Sequence, residues 1–595
     1  MDFTKHERSD FRGPSVASLT VLIRTPLLPA PRPAYTVSTP ALQHILNQLD
    51  QLKTQFDLRS AQRVANLLKR LTRLTVNDPD SLIRLHELLL FIRAHPHNSA
   101  VLRQADAALR TMPIRLSGLL EVETDLSSLE HPDVSGIAGT SVKDTFSYPI
   151  VRWLLERRQS QVDFYWDWFE DENRIAEAWP RFMPLLAEDS FVEANIPYRE
   201  WLRNARGRRD EVAWLLDRFS TLPVSEPEKA ELYDAQKLYV RWRFNYGDSR
   251  TGLRHRRGKL FFHDAPMIVR RDVNLPDHLL KPVARLTKLS AKDGTQAIDL
   301  ARAASTVRYR ELYGFTNGDP KSVYSAELGR GVELLINVLP PEKRLPLRAY
   351  HSAMIYKNGV PIGYFEGLSL FERMESGFNL YYTFRDGETA WLYARVLGVM
   401  RKLTGVSAFS LDPYQIGHEN EEGIESGAFW FYRKLGFRST RKSIQRLTRR
   451  EEEKIASRKN YRTAAATLRR LAEAPMIFEL DQIHEGDWDR FQIRTIGFAV
   501  QRLMENKFNG DATRMRSYAA DFVRDALRLR YKMTGDLSVA LLLIQDLDSW
   551  EDKDKELLRR IIEAKTRDSE STYLHLLQRH SRLRNEIIRL GSKLF

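Results

Sequence analysis

Apolar residues recur at helical spacing in the first part of the chain. Leu42, Ile45, Leu46 and Leu49 keep the three- and four-residue intervals of one helix face, which is the pattern of an amphipathic helix. Similar stretches continue through SLIRLHELLLFIRAH and VLRQADAALR. We therefore expect residues 39–245 to form a helical region of one unit or two.

The pattern changes between residues 290 and 445, where helix-like and strand-like stretches alternate. GTQAIDLARAASTVRYRELYGF and SVYSAELGRGVELLINVL are predicted helices, whereas LRAYHSAMIYKNG, PIGYFEGLSL and SGFNLYYTF are typical of strands. Asn358 and Gly359 join the first two strands and predict a tight hairpin, because both residue types tolerate positive φ. A helix in AWLYARVLGVMRKLTG, a strand in VSAFSLD and a short aromatic helix follow.

Charged helical patterns return after residue 445 and continue to the end of the chain. Tyr573, Leu576, Leu583 and Ile587 belong to one apolar stripe there, which helix packing or a coiled partner would bury. We expect 446–595 to be an accessory helical region, with a homo-oligomer through the helical flanks as one role for it.

Two further segments have less regular patterns. Residues 1–38 are rich in proline and lack a sustained period, so we expect a flexible leader. Residues 246–289 form a basic connecting segment that contains RHRRGK. Such a run could neutralise several phosphates, as in a nucleic-acid or phosphate site, or it could be an ordinary solvated loop.

The composition favours a soluble globular protein. Of the 595 residues 43% are hydrophobic and 29% charged, and the net charge is +14; the positive excess permits a polyanionic partner such as nucleic acid or a phosphate-rich cofactor. The best N-terminal apolar stretch is interrupted by Arg24 and prolines, so we expect neither a signal peptide nor a membrane span, and a cytoplasmic location. The absence of cysteine excludes disulfides, thiolate metal sites and a cysteine nucleophile; we expect no metal.

The stretch SGAFWFYRKLGFRS, residues 426–439, has the features of a helix that ends sharply. Arg433 and Lys434 occupy the last turn, where cations interact well with the helix dipole. Gly436 can adopt the left-handed conformation, and Phe437 can fold back on the helix. Phe429 and Phe431 are expected to anchor the helix to a sheet.

The order of elements across 290–445 resembles the GNAT superfamily of acyl-CoA N-acyltransferases. The resemblance depends on the hairpin KNGVPIGYFEG, on YYTFRDGETAWLYA and on the Tyr, two residues, Leu, Gly, Phe pattern that begins at Tyr432. It implies an α+β fold in which a GNAT-like mixed-sheet domain is flanked by N-terminal and C-terminal helical regions. It also implies transfer of an acyl group from acyl-CoA or acetyl-CoA to an amine.

In the superfamily, the turn before a helix offers backbone N–H groups to the cofactor pyrophosphate. Arg385 and Ala390 stand at the family's spacing, whereas Glu388 stands where the family has glycine. Asn420 lies upstream of the position where an asparagine often contacts the cofactor arm. The resemblance implies these cofactor-binding residues: Arg385, Asp386, Gly387, Glu388, Thr389, Ala390 and Asn420.

Tyr432 matches the position whose phenol, in many members of the superfamily, protonates the departing thiolate. A general base must also take a proton from the attacking ammonium. Glu366 and Asp412 are the predicted bases, and His351 and His418 are further candidates. The sequence does not identify the acceptor, which could be a peptide terminus, a lysine, a polyamine, an amino sugar or an antibiotic.

Two other functions fit the same residues. The altered pyrophosphate loop and the large helical flanks suit a non-catalytic binding or assembly protein. The basic charge suits an aminoacyl-tRNA-dependent transferase, since relatives with doubled GNAT-like folds move aminoacyl groups from tRNA. A second acyltransferase-like unit within residues 60–280 would support that function.

Overall fold

The computed structural model has a mixed α+β fold built around one large mixed sheet. It describes residues 40–121, 125–169, 172–189, 196–255, 259–282, 285–481, 483–532, 535–567 and 569–593. The predicted leader, residues 1–38, lies outside these ranges.

Five helices form the N-terminal region, as the periodicity predicts. Asp57, Asp78 and Asn98 each cap a helix by accepting the backbone N–H three residues later, which satisfies a donor that the helix itself cannot. The predicted apolar face, including Leu42 and Leu46, is fully buried. The helices are α1 Pro40–Leu52, α2 Leu58–Leu71, α3 Pro79–Ala94, α4 Ser99–Arg110 and α5 Met112–Leu120.

A small antiparallel sheet interrupts the next part, so the prediction of helix throughout 39–245 is wrong there. Its strands are β1 Ser141–Asp144, β2 Val162–Phe164 and β3 Val240–Arg243, in the order β1-β3-β2. Strands this short give no usable alternation in the sequence. The accompanying helices are α6 Tyr148–Arg158, α7 Leu186–Glu188, α8 Tyr198–Arg206, α9 Glu211–Ser220 and α10 Glu226–Ala235.

Within the described residues, nine strands form the large sheet in the order β11-β12-β10-β9-β8-β7-β6-β5-β4. Neighbouring strands are antiparallel except for β9 and β10, which are parallel. The sheet takes strands from both sides of the predicted 290–445 segment. The strands are β4 Arg285–Lys288, β5 Val323–Gly329, β6 Val332–Val338, β7 Ala349–Lys357, β8 Val360–Leu370, β9 Arg373–Leu380, β10 Ala408–Leu411, β11 Arg438–Ser439 and β12 Met476–Glu479.

Helices cover both faces of this sheet. Gly314 lies directly against Ser352 on one face, and the Tyr393 hydroxyl is 2.9 Å from the Ser376 hydroxyl on the other. The helices are α11 Leu275–Leu280, α12 Ala291–Thr306, α13 Tyr313–Thr316, α14 Thr389–Thr404, α15 Glu421–Glu425, α16 Ala428–Arg433, α17 Lys442–Ser457 and α18 Ala465–Leu471. Gly436 has φ 103°, so its predicted left-handed conformation is confirmed.

The stretch SVYSAELGRGVELLINVL forms the β5–β6 hairpin, and its prediction as a helix is wrong. Gly329, Arg330 and Gly331 form the turn with φ values of 88°, 51° and 73°. All of β6 is buried, and a short run of mostly apolar residues looks the same in a buried strand and a buried helix. The β7–β8 hairpin is confirmed, with positive φ at Asn358 and Gly359.

The C-terminal region is helical and packs on the sheet. Tyr573 and Leu583 of the predicted stripe share a core with Ala349 of β7 and Leu370 of β8, so packing within the chain buries the stripe. In the part of the chain that the structure describes, no helix has both the length and the apolarity to cross a membrane. The helices are α19 Ile493–Phe508, α20 Ala512–Leu527, α21 Leu537–Leu541, α22 Asp552–Arg567, α23 Glu570–Leu577 and α24 Ser581–Gly591.

Candidate functional site

The parallel strands β9 and β10 are paired with each other only near their start. Their pairing runs only from Arg373 to Glu375 on β9, whereas β9 continues to Leu380 and pairs along that length with β8. The α14 helix connects the two strands, so both strands end at the same edge of the sheet. Beyond Glu375 no backbone pairing joins β9 to β10, which ends at Leu411, and the N-terminus of α14 follows β9 at this edge.

The first turn of α14 has backbone donors to offer. Among the described residues, the N–H groups of Thr389, Ala390 and Trp391 have no hydrogen-bond acceptor, and Glu388 provides no side-chain cap. The first N–H groups of a helix, together with its dipole, favour an anion at this end. The start of α14 therefore offers three backbone donors to an anion.

Glu388 is turned away from these donors. Its carboxylate accepts a hydrogen bond from Ile268 N–H at 3.0 Å and forms an ion pair with Arg330 at 2.6 Å. The Lys357 ammonium lies 3.6 Å from it, and only 6% of Glu388 is exposed. Two cations therefore compensate the charge of Glu388 within the protein, and its carboxylate does not face the donors at the start of α14.

The rest of the predicted cofactor turn is engaged in contacts within the chain. Arg385 forms an ion pair with Glu422 of α15 at 2.5 Å, and Asp386 forms one with Lys53 of α1 at 2.7 Å. The Thr389 hydroxyl donates to the Arg385 carbonyl. Gly387 packs near Phe384 and His95, where an added Cβ would be 3.0 Å from the Phe384 carbonyl oxygen. Ala390 is buried.

Asn420 and Asp412 both act as caps in the loop after β10. Asn420 accepts the Gly423 N–H and begins α15, which brings it close to the Arg385–Glu422 pair. Asp412 accepts the Tyr414 N–H at 2.9 Å. Although Asp412 is exposed at the surface of the loop, the surrounding atoms remove enough water to raise its pKa, and the charge of Glu375 adds to this.

Tyr432 lies near the residue of β9 at which its pairing with β10 ends. Its ring packs edge-on against Tyr393 at 5.4 Å between centroids, and the Tyr393 hydroxyl contacts Ser376, the first residue of β9 beyond the paired segment. Among the described residues the Tyr432 hydroxyl has no hydrogen-bond partner, and burial raises its pKa. Tyr432 therefore keeps its proton at neutral pH.

Glu366 and His351 have buried positions away from Tyr432. Glu366 accepts a hydrogen bond from the Tyr350 hydroxyl, and burial raises its pKa. It pairs with Gly377 of β9, so alternation along the strand places it on the opposite face from Ser376. His351 lies in the core with no partner for either ring nitrogen among the described residues. His418 is exposed in the loop after β10.

A cleft at the end of β9 contains residues that sequence reasoning missed. Arg308, Arg310 and Arg385 line it, together with Pro132, Asp133, Asn379, Leu380, Tyr381 and Tyr382. We call it the arginine cleft. The sequence places Arg308 and Arg310 within a predicted helix, but α12 ends at Thr306 and Tyr309 has φ 55°. The signal in the sequence that could have indicated the cleft is this pair of arginines, two residues apart.

The basic segment has a structural explanation where it is described. Arg254 forms an ion pair with Asp106 at 3.2 Å and donates to the Asn358 carbonyl. Arg256 and Arg257 lie outside the described residues. Across the described ranges, no group of three or more His, Asp or Glu side chains is arranged to hold a metal ion.

The structure thus brings the predicted turn, Asn420 and Tyr432 to one edge of the sheet and separates Glu366 from Tyr432 by the thickness of the sheet. The arrangement can hold an anion at the start of α14, donate a proton from Tyr432 and accept one at a buried carboxylate. Comparison of the chain with models of protein families, with curated proteins and with solved structures found no match.

Proposed function

We propose that the chain is an acyl-CoA-dependent N-acyltransferase that moves an acyl group to an amine. The observation that carries this proposal is the parallel pair β9 and β10, which is joined by α14 and is paired only as far as Glu375. The GNAT superfamily binds its cofactor between its fourth and fifth strands, at the point where the two strands are no longer paired. The sheet order β9-β10-β12-β11, in which the last strand in sequence, β12, lies between β10 and β11, supports the same fold.

The residues at the start of α14 fit a CoA pyrophosphate. Thr389, Ala390 and Trp391 have N–H groups at the start of α14 with no acceptor among the described residues, and Arg385, which pairs with Glu422, precedes them in the chain. Glu388 is neutralised by Arg330 and Lys357 and does not face these donors. When bound, acyl-CoA supplies a thioester, whose carbonyl is attacked and whose sulfur departs.

The chain's own groups would then move two protons. A carboxylate, Glu366 or Asp412, accepts a proton from the acceptor ammonium, and the raised pKa of each suits it to this task. The amine nitrogen forms the new bond to the acyl carbon as the carbon–sulfur bond breaks. Tyr432 donates its hydroxyl proton to the departing sulfur and is reprotonated by the second proton that the nitrogen loses as the amide forms.

The cofactor assignment is tested by calorimetry with acetyl-CoA and longer acyl-CoAs. We expect Arg385→Gln to weaken binding about tenfold, because hydrogen bonds to charged groups are worth this much. Glu422→Gln is the matched variant: it frees Arg385 from its ion pair and should strengthen binding or leave it unchanged. Absence of heat and of a thermal shift at millimolar acyl-CoA would exclude a CoA-dependent enzyme.

The role of Tyr432 is tested by turnover with a panel of amines. We expect Tyr432→Phe to lower kcat at least about tenfold, the range of general acid catalysis, while acyl-CoA affinity stays the same. Tyr531→Phe, at an exposed tyrosine far along the chain, is the control. An unchanged kcat in Tyr432→Phe would remove this residue from the mechanism.

A non-catalytic binding or assembly protein is the second candidate, and one observation favours it. The polar side chains of the predicted cofactor site already have partners in the chain: Arg385 with Glu422, Asp386 with Lys53 and Asn420 with Gly423. If the chain does not bind acyl-CoA, these contacts are structural and this candidate replaces the enzyme.

A further inference from the structure

We propose that the arginine cleft binds an oxyanion group of the amine acceptor, a carboxylate or a phosphate. The identification of this oxyanion as part of the acceptor depends on the proposed acyltransferase function; the anion site itself does not. The cleft lies at the end of β9, where the α12–α13 connection, the loop after β9 and the loop around Asp133 meet.

Arg308 is the deepest cation in the cleft. Only 3% of it is exposed, and its guanidinium lies 3.7 Å from the centroid of the Tyr381 ring. One terminal nitrogen donates to the Ala304 carbonyl at 2.6 Å, whereas Nε has no acceptor among the described residues. A buried guanidinium normally has a carboxylate or phosphate as partner, so Arg308 lacks the anion that such burial requires.

Arg310 supplies a second cation at the wall of the cleft. It donates to the Tyr364 hydroxyl at 3.1 Å, and Asn379 donates to the same oxygen at 3.2 Å. With two donors directed at its oxygen, the Tyr364 hydroxyl is left to donate its own proton. Arg310, Tyr364 and the Asn379 amide nitrogen thus place several donors beside the cleft.

The charges around the cleft do not cancel. Asp133 is the carboxylate among the described lining residues, and Arg385 is already paired with Glu422. Within the described ranges Arg308 and Arg310 have no carboxylate at ion-pair distance. Two arginines in a small, partly closed cleft form the arrangement that binds the oxygens of a carboxylate or phosphate.

The predicted base Glu366 lies on the same strand as Tyr364, the residue that Arg310 of the cleft contacts. Tyr364 and Glu366 are two residues apart on β8, so their side chains are on the same face, separated by about 7 Å along the strand. An acceptor that binds its oxyanion at Arg310 would therefore bring an amine a few bonds away to Glu366. This geometry fits a short amino acid or an aminoalkyl phosphate and excludes a long polyamine, which would meet two cations.

The first experiment measures anion binding without acyl-CoA. Inorganic phosphate and acetate are titrated separately into the full chain, and we expect at least one to bind at millimolar concentration. Arg310→Gln should weaken that binding at least about tenfold, whereas Arg103→Gln, which removes the same charge from an exposed position on α4, should not. Absence of binding by either anion, or equal effects of both variants, would overturn the proposal.

Arg308→Lys serves as the second variant, since loss of the buried guanidinium can also affect folding. The lysine keeps the charge but loses the fork of donors, so anion binding should weaken while the circular dichroism spectrum stays that of the wild type. If Arg308→Lys is folded and binds phosphate and acetate like the wild type, Arg308 is not part of the site.

The second experiment compares acceptors that differ only in the oxyanion. With acetyl-CoA as donor, O-phosphoethanolamine is compared with ethanolamine and β-alanine with β-alanine amide. We expect a kcat/KM at least about tenfold higher for one anionic member, and Arg310→Gln should abolish this preference. The substrate pair whose two members differ in kcat/KM shows whether the cleft prefers a phosphate or a carboxylate. Equal kcat/KM within both pairs would refute the acceptor assignment.

The two proposals fail in different ways. Anion binding that depends on Arg310, together with no binding of acyl-CoA, would support the cleft and refute the acyltransferase. Acyl-CoA binding and turnover with no response to phosphate, acetate or Arg310→Gln would support the acyltransferase and refute the cleft.

Discussion

Several buried polar residues of the large sheet lack a partner. Asn337 and Ser352 are paired across β6 and β7, and their side-chain polar atoms have no hydrogen bond among the described residues. Next to them, both ring nitrogens of His351 are equally unsatisfied. A buried polar group without a partner costs about 1–3 kcal/mol. Such positions are where a substitution of similar shape can stabilise the fold.

We predict that His351→Leu reduces the loss of stability in acid. Burial lowers the pKa of His351 to about 4, whereas a histidine in the unfolded chain has a pKa near 6.5. Between these values the unfolded chain binds a proton that the folded chain does not, so stability falls as the pH decreases through this window, by about 3 kcal/mol at most. Urea unfolding at pH 7 and pH 4.5 measures the effect.

His44→Leu is the control for that experiment. His44 is exposed on α1, so this variant should not change the pH dependence of the free energy of unfolding. If His351→Leu and the wild type lose the same free energy of unfolding between the two pH values, His351 is not protonated on unfolding in the expected way.

At the scale of the element, the β7–β8 hairpin does more than reverse the chain. The Asn358 side chain donates to the carbonyls of Ala94 and Phe261 and accepts the Phe261 N–H. The Gly359 carbonyl accepts the His255 N–H at 2.8 Å. The turn that the sequence predicts from two residues therefore also anchors the N-terminal helices and the basic segment to the sheet.

We predict that Gly359→Ala lowers the free energy of unfolding by about 3 kcal/mol. The positive φ of 79° is unfavourable for alanine, and its Cβ would be 2.2 Å from the His255 carbonyl oxygen. Gly329→Ala is the matched control: φ is 88° and no atom lies within 4 Å of the added Cβ, so about 1 kcal/mol is expected. Equal losses in denaturant unfolding would contradict the role of the contact.

At the scale of the whole molecule, the helical regions and the sheet share their cores. One hydrophobic core runs from Leu42 of α1 to Phe478 of β12, and the second joins the C-terminal helices to β7 and β8. Arg584 of α24 forms an ion pair with Glu372, in the β8–β9 turn, at 2.5 Å. The helical regions are thus structural supports of the sheet, whatever other role they have.

We predict that Glu570→Ala destabilises the protein by about 3–5 kcal/mol. Glu570 is fully buried, forms an ion pair with Lys565 at 2.6 Å and accepts the backbone N–H of Tyr350 on β7. Removal of one partner leaves the other charge buried and uncompensated. Chemical denaturation followed by circular dichroism measures the loss.

Glu563→Ala is the comparison. Glu563 forms an exposed ion pair with Arg567, and both residues lie on α22. A surface pair of this kind contributes about 0.5 kcal/mol or less. Similar losses for Glu570→Ala and Glu563→Ala would show that the C-terminal helices contribute little to the stability of the sheet.

By itself, the sequence determined the features that depend on neighbours within a few residues. The helices α1 and α14, the Asn358–Gly359 turn and the left-handed Gly436 are confirmed, because periodicity, turn preference and capping are local properties. The tertiary structure alone decided the parallel pairing of β9 with β10, the inward turn of Glu388 and the meeting of Arg308 and Arg310 with the end of β9. These arrangements join residues far apart in the chain, and contacts of that kind leave no periodic pattern in a single sequence.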